Sequence, residues 1–397
     1  MSNEKGVADR FRWHRAARLV TEGGVLAGPG AAASLIDPRP AGPALQAALA
    51  AAAAGLPFRI GGEGPAPEEG SAPAFETLTS GSSGSPRRIR RSQASWMASF
   101  AVNAGLFGIG PGVAVAVPGQ LVQSLALYGA LEALHLGATL HLLDAPRPDR
   151  QRRALAPAQV LYASPAQLRL LAEAPGPALP GLRLILTGGA KLDTATRALA
   201  QTLAPGAAIR EFYGAAETSF ITLADPASPE DSVGRPYPGV TVELRDAAGQ
   251  PAPQGEVWLR SPYLFEGYAG DPGPARWQDG WLSVGEVGRI EGGCLFLLGR
   301  AGRMITVADQ NVFPEAVETF LLSLPGVRRA AVLPRPDPRR GHVLEAVLIG
   351  GDDAQILAAC RARFGPLASP RRLHRVQDWP LLPSGKTDLA ALARVLA

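Results

Sequence analysis

Apolar and polar positions alternate in blocks along the first half of the chain. Residues 113–118, VAVAVP, form an apolar run of strand length, and residues 121–136 after them repeat their apolar side chains at helical spacing. The same succession recurs downstream, which is typical of an α/β fold with a layered, mainly parallel sheet. The predicted strands are 74–78, 113–118, 139–143, 160–163 and 182–187, and the predicted helices are 121–136, 165–173, 194–203 and one that begins after Ser92.

The pattern changes after residue 224. Short strands separated by turn residues predict a small β-rich subdomain, and a compact α+β unit follows from near residue 300. We therefore expect a large N-terminal domain over residues 1–300 and a small C-terminal domain over residues 301–397. The predicted strands in this half are 240–246, 256–261, 288–291, 295–298, 330–334 and 345–349, and the predicted helices are 314–322 and 354–364.

The composition narrows the class of protein. Hydrophobic residues make up 46% of the 397 positions and charged residues 19%, which is ordinary for a globular protein and excludes wholesale disorder. The net charge of +4 is small for this length, so it predicts neither a nucleic-acid-binding nor a membrane-binding surface. The only cysteines, Cys294 and Cys360, lie far apart and in no metal-ligand spacing, which argues against a structural zinc site or a disulfide.

Two further features concern location and lysine usage. The N-terminal segment MSNEKGVADRFRWHR is polar, and the most apolar window, residues 47–56, is far shorter than a membrane span, so we expect a cytoplasmic protein. Of the 39 basic residues only Lys5, Lys191 and Lys386 are lysines. Because arginine supplies nearly every generic positive charge, a lysine inside a motif is a strong functional candidate.

Residues 79–92, TSGSSGSPRRIRRS, join a Ser/Gly-rich stretch to four arginines. Composition leaves three interpretations open: a flexible linker, a basic nucleic-acid patch, or a loop between a strand and a helix whose N–H groups and hydroxyls hold phosphate oxygens. Gly81 and Gly84 allow backbone conformations that bulkier residues resist. A Walker-type loop is disfavoured because no Gly-Lys-Ser/Thr follows.

Seven further motifs follow this loop in order. They are LTGGAKL (186–192), EFYGAAET (211–218), GEVWLRS (255–261), DGWLSVGEVGRI (279–290), LGRAGRMI (298–305), NVFPEAVE (311–318) and LPSGKTDLAAL (382–392). The set resembles the acyl-adenylating (AMP-binding) superfamily, which includes acyl- and aryl-CoA ligases, carrier-protein-loading adenylation domains and luciferases. The resemblance covers about residue 75 to the C-terminus, and it implies an N-terminal region shorter than in full-length members.

The resemblance implies an ATP site. Residues 79–84 would close over the β- and γ-phosphates, Tyr213 would stack on the adenine, and Arg300 would bind on the ribose or phosphate side. Glu286 stands where the family has an Asp that accepts hydrogen bonds from the ribose hydroxyls, and Ala216 stands where Thr is commoner. The residues implied in ATP or AMP binding are Thr79, Ser80, Gly81, Ser82, Ser83, Gly84, Gly188, Gly189, Ala190, Glu211, Phe212, Tyr213, Gly214, Ala216, Glu286 and Arg300.

The resemblance also implies a catalytic pair and a hinge. Glu217 would hold Mg²⁺, a hard cation that prefers carboxylate oxygen. Lys386, on a mobile C-terminal loop, would bridge the carboxylate substrate and the α-phosphate. The mobile C-terminal domain would pivot near Gly302, where the family usually carries Asp or Lys. Asp309 falls where the family often has a Gly in the loop that lines the thiol tunnel, so adenylate formation is better supported than thioester formation.

The implied function is activation of a carboxylic acid by ATP to an acyl-adenylate, followed by transfer to the thiol of CoA. An acid pocket would include Gln120, Tyr128, Gly189 and Ala215, and its small, uncharged lining favours an aryl or medium-chain acid. Two alternatives remain open: loading of the phosphopantetheine of an acyl-carrier protein, and a non-catalytic relative that binds nucleotide or acyl groups.

A nucleic-acid-binding interpretation would rest on the arginines of residues 79–92. It predicts an affinity that falls steeply with salt, and the lack of a wider basic face argues against it. Arg87 stands where the family usually has a Lys after the phosphate loop, which keeps the charge and changes its geometry.

Overall fold

A computed structural model of the chain describes residues 9–70, 72–79, 86–270, 272–308, 310–382 and 387–396. The strands are β1 (Arg18–Thr21), β2 (Gly24–Leu26), β3 (Leu35–Ile36), β4 (Phe58–Ile60), β5 (Ala74–Leu78), β6 (Arg88–Ser92), β7 (Ala114–Pro118), β8 (Thr139–Leu143), β9 (Val160–Ala163), β10 (Leu184–Gly188), β11 (Ala208–Ala215), β12 (Ser219–Leu223), β13 (Arg235–Pro236), β14 (Thr241–Arg245), β15 (Gln254–Arg260), β16 (Gly267–Tyr268), β17 (Arg276–Gln278), β18 (Trp281–Ser283), β19 (Glu286–Glu291), β20 (Cys294–Arg300), β21 (Ile305–Val307), β22 (Gln310–Val312), β23 (Val327–Asp337), β24 (Gly341–Gly350) and β25 (Arg372–Arg375). The helices are α1 (Ala41–Ala54), α2 (Gln93–Phe107), α3 (Ser124–Leu136), α4 (Pro148–Leu155), α5 (Pro165–Glu173), α6 (Thr194–Leu203), α7 (Pro314–Ser323), α8 (Asp353–Ala368) and α9 (Leu389–Val395), and a 3₁₀ turn spans Ala301–Arg303.

A nine-stranded sheet forms the centre of the large N-terminal part. Its strand order is β13-β12-β11-β10-β9-β7-β8-β1-β2. The inner strands from β11 to β1 pair in parallel, and the strands added at the two ends pair antiparallel. Parallel strands need crossover connections, and helices α3, α5 and α6 supply them between successive strands. The predicted α/β class with a mainly parallel sheet is confirmed.

A second, five-stranded sheet has the order β16-β6-β5-β4-β3. An aromatic cluster of Phe11, Phe58, Phe75, Trp96 and Phe100, all at most 2% exposed, joins this sheet to helix α2. Helix α1 covers residues that the sequence pattern indicated only as an apolar window. It ends at a left-handed glycine, a common way for a helix to stop.

The remaining sheets form the β-rich subdomain and the C-terminal unit. In the subdomain, strands β14, β15 and β17 to β20 make a six-stranded sheet. In the C-terminal unit, the sheet β23-β24-β25 packs one apolar face on α7 and α8 and the other on α9. The predicted boundary at residues 300/301 falls between β20 and the 3₁₀ turn, and the extent and mobility of a separate C-terminal domain stay predictions. Among the described helices, none is long and apolar enough to cross a membrane.

The Ser/Gly-rich loop has a different setting from the predicted one. It connects two antiparallel strands, β5 and β6, rather than a strand and a helix. Strand β6 holds the arginine run: Arg88 lies 3.5 Å from Glu76, Arg90 lies 3.0 Å from Glu266, and Arg91 is fully buried. These arginines therefore belong to a strand and have partners within the protein, which argues against a nucleic-acid-binding patch. The predicted helix follows directly, with the Ser92 side chain accepting the Ser95 N–H at 3.3 Å.

Candidate active site

The base of the predicted phosphate loop is a closed hairpin. The Thr79 N–H donates to the Arg87 carbonyl at 2.9 Å, and the Arg87 N–H donates to Thr79 Oγ1 at 2.9 Å. This reciprocal pair fixes where the loop leaves the sheet and returns to it. The predicted phosphate contacts of Ser80, Gly81, Ser82, Ser83 and Gly84 lie outside the described residues.

The predicted adenine segment lies at the carboxyl ends of the parallel strands β10 and β11, the edge where open α/β sheets bind ligands. Gly188 pairs with Phe212 across these strands, and a Cβ at Gly188 would lie 2.5 Å from the Phe212 ring. A side chain at Gly188 would therefore require the Phe212 ring to move. Gly189 follows with φ of +87°, and both it and Ala190 are exposed. The chain turn therefore presents backbone to the space beyond the sheet edge.

The motif EFYGAAET folds as the end of β11 and a tight turn into β12. The strand pairing shifts register between Tyr213 and Gly214, which marks a β-bulge. A Cβ at Gly214 would lie 1.9 Å from the Ser219 carbonyl oxygen, so no other residue fits this bulge. The bulge redirects the chain, and Ala216 and Glu217 lie in the turn that follows the strand.

Glu211 has a structural role in the described contacts. Its side chain is buried and accepts hydrogen bonds from the Leu192 N–H at 2.9 Å and from Lys191 Nζ at 3.3 Å. Lys191 also donates to the Ser232 carbonyl at 2.9 Å. The Glu211 carboxylate therefore braces the segment after Gly189 against β11. This arrangement argues against a direct contact between the Glu211 carboxylate and a nucleotide.

Tyr213, Glu286 and Arg300 meet at one place. Glu286 and Arg300 pair across strands β19 and β20, and Arg300 Nε lies 3.0 Å from Glu286 Oε1. Burial, and then the charge of Glu286, raise the pKa of the Tyr213 phenol, so the phenol is a neutral donor. Its oxygen is buried and makes no hydrogen bond to the described residues. Burial opposes the charge on Arg300, but Glu286 outweighs this effect and raises the pKa of Arg300.

Glu217 lies in the turn after β11, half-buried. Its Oε1 accepts a hydrogen bond from the Tyr268 hydroxyl at 2.9 Å, and its carbonyl accepts the Phe265 N–H at 2.9 Å. Its Oε2 accepts no hydrogen bond from the described residues. No cluster of three or more His, Cys, Asp or Glu side chains able to hold a metal occurs within the described ranges. A single carboxylate with one uncommitted oxygen fits Mg²⁺, which is usually held by one or two carboxylates together with substrate phosphates.

Arg91 supports this turn from the neighbouring sheet. Its guanidinium donates to the Ala216 carbonyl at 2.5 Å and to Ser219 Oγ at 2.7 Å, and it also donates to the Tyr263 carbonyl. Burial lowers the pKa of Arg91 to about 9, while the carboxylate of Glu217 acts in the opposite sense. Arg91 therefore stays charged at neutral pH and ties the turn to strand β6.

The four predicted acid-pocket residues are not equivalent. Gln120 is exposed just after β7, and Gly189 and Ala215 lie at the same carboxyl edge. Tyr128 is only 4% exposed, and its hydroxyl is 2.7 Å from Ser99 Oγ and 3.3 Å from Glu132 Oε1. Tyr128 is thus part of the interior beneath the sheet edge. This placement argues against a direct contact between Tyr128 and an acid.

The remaining predicted residues belong to the C-terminal part. Gly302 is exposed in the 3₁₀ turn that follows β20, and a Cβ there would meet no atom within 4 Å. Its role as a hinge stays a prediction. Lys386 and Asp309 lie outside the described residues. Leu381 and Thr387 form an isolated antiparallel bridge.

Sequence reasoning missed two residues that contact the Glu217 turn, Tyr268 and Arg91. Tyr268 sits in the short segment FEGYAGDP, which has no distinctive pattern by itself. Arg91 belongs to a run of four arginines in which the sequence distinguishes no single member. Only the pairing of β16 with β6, which brings together residues far apart in sequence, reveals their roles.

The chain belongs to the AMP-binding enzyme family. Residues 27–269 match that family, and residues 316–386 match the AMP-binding enzyme C-terminal domain. Two relatives illustrate the similarity. The chain is 34% identical over 327 residues to the uncharacterized acyl–CoA ligase YhfT of Bacillus subtilis, a match that spans 79% of this chain and 67% of that protein. It is 31% identical over 252 residues to the fatty acid–[acyl-carrier-protein] ligase MmaC of Mycobacterium marinum, which spans 54% of this chain and 47% of that one.

The fold is that of the adenylate-forming enzymes. The structure of the amide bond synthetase McbA from Marinactinospora thermotolerans superposes with a TM-score of 0.78 at 24% identity, and the match covers 99% of each chain. This likeness concerns the fold: a large N-terminal domain and a small C-terminal domain.

Proposed function

We propose that this protein is an AMP-forming acid–thiol ligase that activates a carboxylic acid with ATP and transfers the acyl group to CoA. The observation that carries the proposal is the convergence at one sheet edge. The bulge at Gly214 places Tyr213 beside Glu286 and Arg300, and it places Glu217 beside the strand that returns from the phosphate-loop hairpin. Family membership and the similarity to an acyl–CoA ligase support the same activity.

The first half-reaction joins the acid to AMP. A carboxylate oxygen of the acid attacks the α-phosphorus, the bond from that phosphorus to the bridging oxygen of the β-phosphate breaks, and pyrophosphate leaves. The acid is already ionised, so no general base is needed. Tyr213, Glu286 and Arg300 would hold the nucleoside, and Lys386 would stabilise the charge that develops at the pentacoordinate phosphorus. Glu217 would hold Mg²⁺, which when bound neutralises phosphate charge.

The second half-reaction transfers the acyl group. The acceptor thiolate attacks the acyl carbon, the bond to the phosphate oxygen of AMP breaks, and AMP leaves. The C-terminal unit would turn about Gly302 between the two steps, so that Lys386 withdraws and the thiol approaches. We expect CoA as the acceptor. A carrier-protein phosphopantetheine is a second acceptor to test, because one relative is an acyl-carrier-protein ligase.

The acid itself is proposed to be an aryl or medium-chain acid. Gly189 and Ala215 offer small, uncharged surfaces at the ends of β10 and β11, and the polar Gln120 is exposed just after β7. A cytoplasmic location stays a prediction of the sequence.

The proposal is tested by product analysis. Purified protein receives ATP, Mg²⁺ and a panel of aryl, medium-chain and long-chain acids, with CoA or a phosphopantetheinylated carrier protein as acceptor. We expect one acid class to give equal amounts of AMP and acyl-CoA by mass spectrometry. Release of ADP, or AMP without any thioester from either acceptor, would contradict the assigned reaction.

A matched variant separates the two steps. Lys386→Ala should abolish adenylate formation but keep thioester formation from a supplied acyl-adenylate, because the lysine acts only in the adenylate-forming step. Equal loss of both steps would contradict its assigned role.

A further inference from the structure

We propose that Tyr268 is the positioning residue for Glu217: its hydroxyl holds one carboxylate oxygen, so that the other is directed to the metal–nucleotide complex. This inference rests on the proposed function, because it takes Glu217 as the residue that binds Mg²⁺. It adds a residue that neither the sequence motifs nor the family match assigns.

A single hydrogen bond joins the Tyr268 hydroxyl to the Glu217 carboxylate. The Tyr268 hydroxyl donates to Glu217 Oε1 at 2.9 Å, and Oε2 is left without a partner among the described residues. A donor on one oxygen fixes the rotation of the carboxylate, which is how outer-shell groups orient metal ligands.

The Tyr268 ring is confined by the residues packed around it. Its ring packs edge-on against Phe265, with centroids 5.1 Å apart. On another side, a Cβ at Gly273 would lie 2.2 Å from the ring, so the glycine backbone lies directly against it. The ring is therefore held by packing, and the hydroxyl is presented at a fixed point.

Tyr268 belongs to the same sheet as the phosphate-loop hairpin. In strand β16, Tyr268 pairs with Ile89 of strand β6. Two flanking backbone bonds, Glu266 N–H to the Arg90 carbonyl and Ala269 N–H to the Arg88 carbonyl, are both 2.9 Å. Strand β6 begins where the phosphate loop ends. Tyr268 thus connects Glu217 to the strand that carries the phosphate loop.

Arg91 provides a second connection between strand β6 and the Glu217 turn, through the main chain of the turn. It leaves strand β6 on the buried face and donates to the Ala216 carbonyl at 2.5 Å, one residue before Glu217. The turn is thus held at its main chain by Arg91 and at its carboxylate by Tyr268. Since the two contacts act on different atoms, loss of the phenol should free the carboxylate without unfolding the turn.

The test is a comparison of Tyr268→Phe with Tyr263→Phe. Phenylalanine keeps the ring in both variants. Tyr263 is a matched control because its hydroxyl donates to the Pro238 carbonyl at 2.6 Å, away from Glu217. The dissociation constant of ATP is measured by calorimetry in EDTA and again with Mn²⁺, and thermal melting checks the fold of each variant.

For Tyr268→Phe we expect the ATP constant in EDTA to stay within about twofold and the affinity gained on adding Mn²⁺ to fall about tenfold. Tyr263→Phe should leave both values unchanged. In a Glu217→Gln background, Tyr268→Phe should add no further loss, because the group it positions is no longer a carboxylate.

Three results would overturn the inference. An unchanged Mn²⁺ gain in Tyr268→Phe would mean that the phenol does not position Glu217. Equal weakening of ATP in EDTA and with Mn²⁺ would mean that Tyr268 acts through packing alone, and an added tenfold loss in the Glu217→Gln background would mean that it acts on another group. If Mn²⁺ does not raise the ATP affinity of the natural sequence, both the proposed function and this inference are refuted. If Mn²⁺ does raise it and Tyr268→Phe shows the same gain, only the inference is refuted.

Discussion

Replacing Glu132 by glutamine should change how the stability of the protein depends on pH. Glu132 lies on helix α3, fully buried, and accepts hydrogen bonds from Tyr162 at 2.5 Å, Asn103 at 2.8 Å and Tyr128 at 3.3 Å. Burial raises the pKa of this carboxyl to about 7, and the three hydrogen bonds only partly oppose the shift. The folded protein therefore favours protonated Glu132 across mildly acidic pH.

The sign and size follow from linkage. Because the folded pKa is raised, the stability that protonated Glu132 contributes is complete below the unfolded pKa and is lost as pH rises through about 7. At 1.4 kcal/mol per pKa unit, the loss amounts to about 2–3 kcal/mol between about pH 5 and pH 8. Glutamine has a similar shape and no titration, so the variant gains this amount relative to the natural sequence over that interval.

His135, one turn along the same helix, makes the comparison necessary. Burial lowers the pKa of His135 to about 4, so its contribution is present above its unfolded pKa and is lost as pH falls. The stability contributed by Glu132 is lost as pH rises, whereas the stability contributed by His135 is lost as pH falls. The pH profile of the natural sequence alone would therefore not separate the two contributions. The difference between Glu132→Gln and the natural sequence isolates Glu132.

The assay is urea unfolding followed by tryptophan fluorescence at several pH values. Glu69, changed to glutamine, is the matched control, because it makes the same substitution at an exposed position. A difference between Glu132→Gln and the natural sequence that is constant with pH would refute the reasoning, since it would mean that Glu132 titrates alike in the folded and unfolded protein.

Two further predictions concern the site. Gly214→Ala should weaken ATP binding measured by calorimetry by at least about tenfold and lower stability, because its Cβ would meet the Ser219 carbonyl oxygen at 1.9 Å. The control Gly105→Ala, on an open helical face, should leave stability unchanged or slightly raised. Equal ATP affinity and equal stability of the two variants would contradict this prediction. Arg91→Met should lower the free energy of unfolding by about 2–4 kcal/mol in urea titrations, because the Ala216 and Tyr263 carbonyls lose a charged donor, and a change within about 0.5 kcal/mol would speak against the brace.

Local sequence signals predicted the helices that have clear caps. Helices α5 and α6 match the predicted ranges residue for residue. Ser164 forms a capping box with Gln167, and the Asp193 side chain caps α6. Helix α1 has no side-chain cap, and its many alanines give no contrast between faces, so the pattern showed only an apolar window.

The residues of the candidate site also differ in how far the sequence could predict their positions. The motif resemblance assigned Tyr213, Glu217 and Glu286 to one ATP site, and the structure brings these three side chains near one another. Their roles stay predictions. The side chains of Glu211 and Tyr128 make their hydrogen bonds within the protein interior, and the composition of the sequence does not reveal this direction. The Tyr268 hydroxyl meets Glu217 across 51 residues, and strand β16 pairs with the distant strand β6, so no local sequence pattern predicts this contact.

Pyrophosphate–ATP exchange with a panel of carboxylic acids tests the central claim most directly. The assay reports adenylate formation alone, without any acceptor, so it does not depend on whether CoA or a carrier protein follows. The account predicts acid-dependent exchange for one class of acid, strongest with aryl or medium-chain members, and its loss in Lys386→Ala. No exchange with any acid, by protein whose melting transition shows that it is folded, would contradict the claim that this chain is an adenylating enzyme.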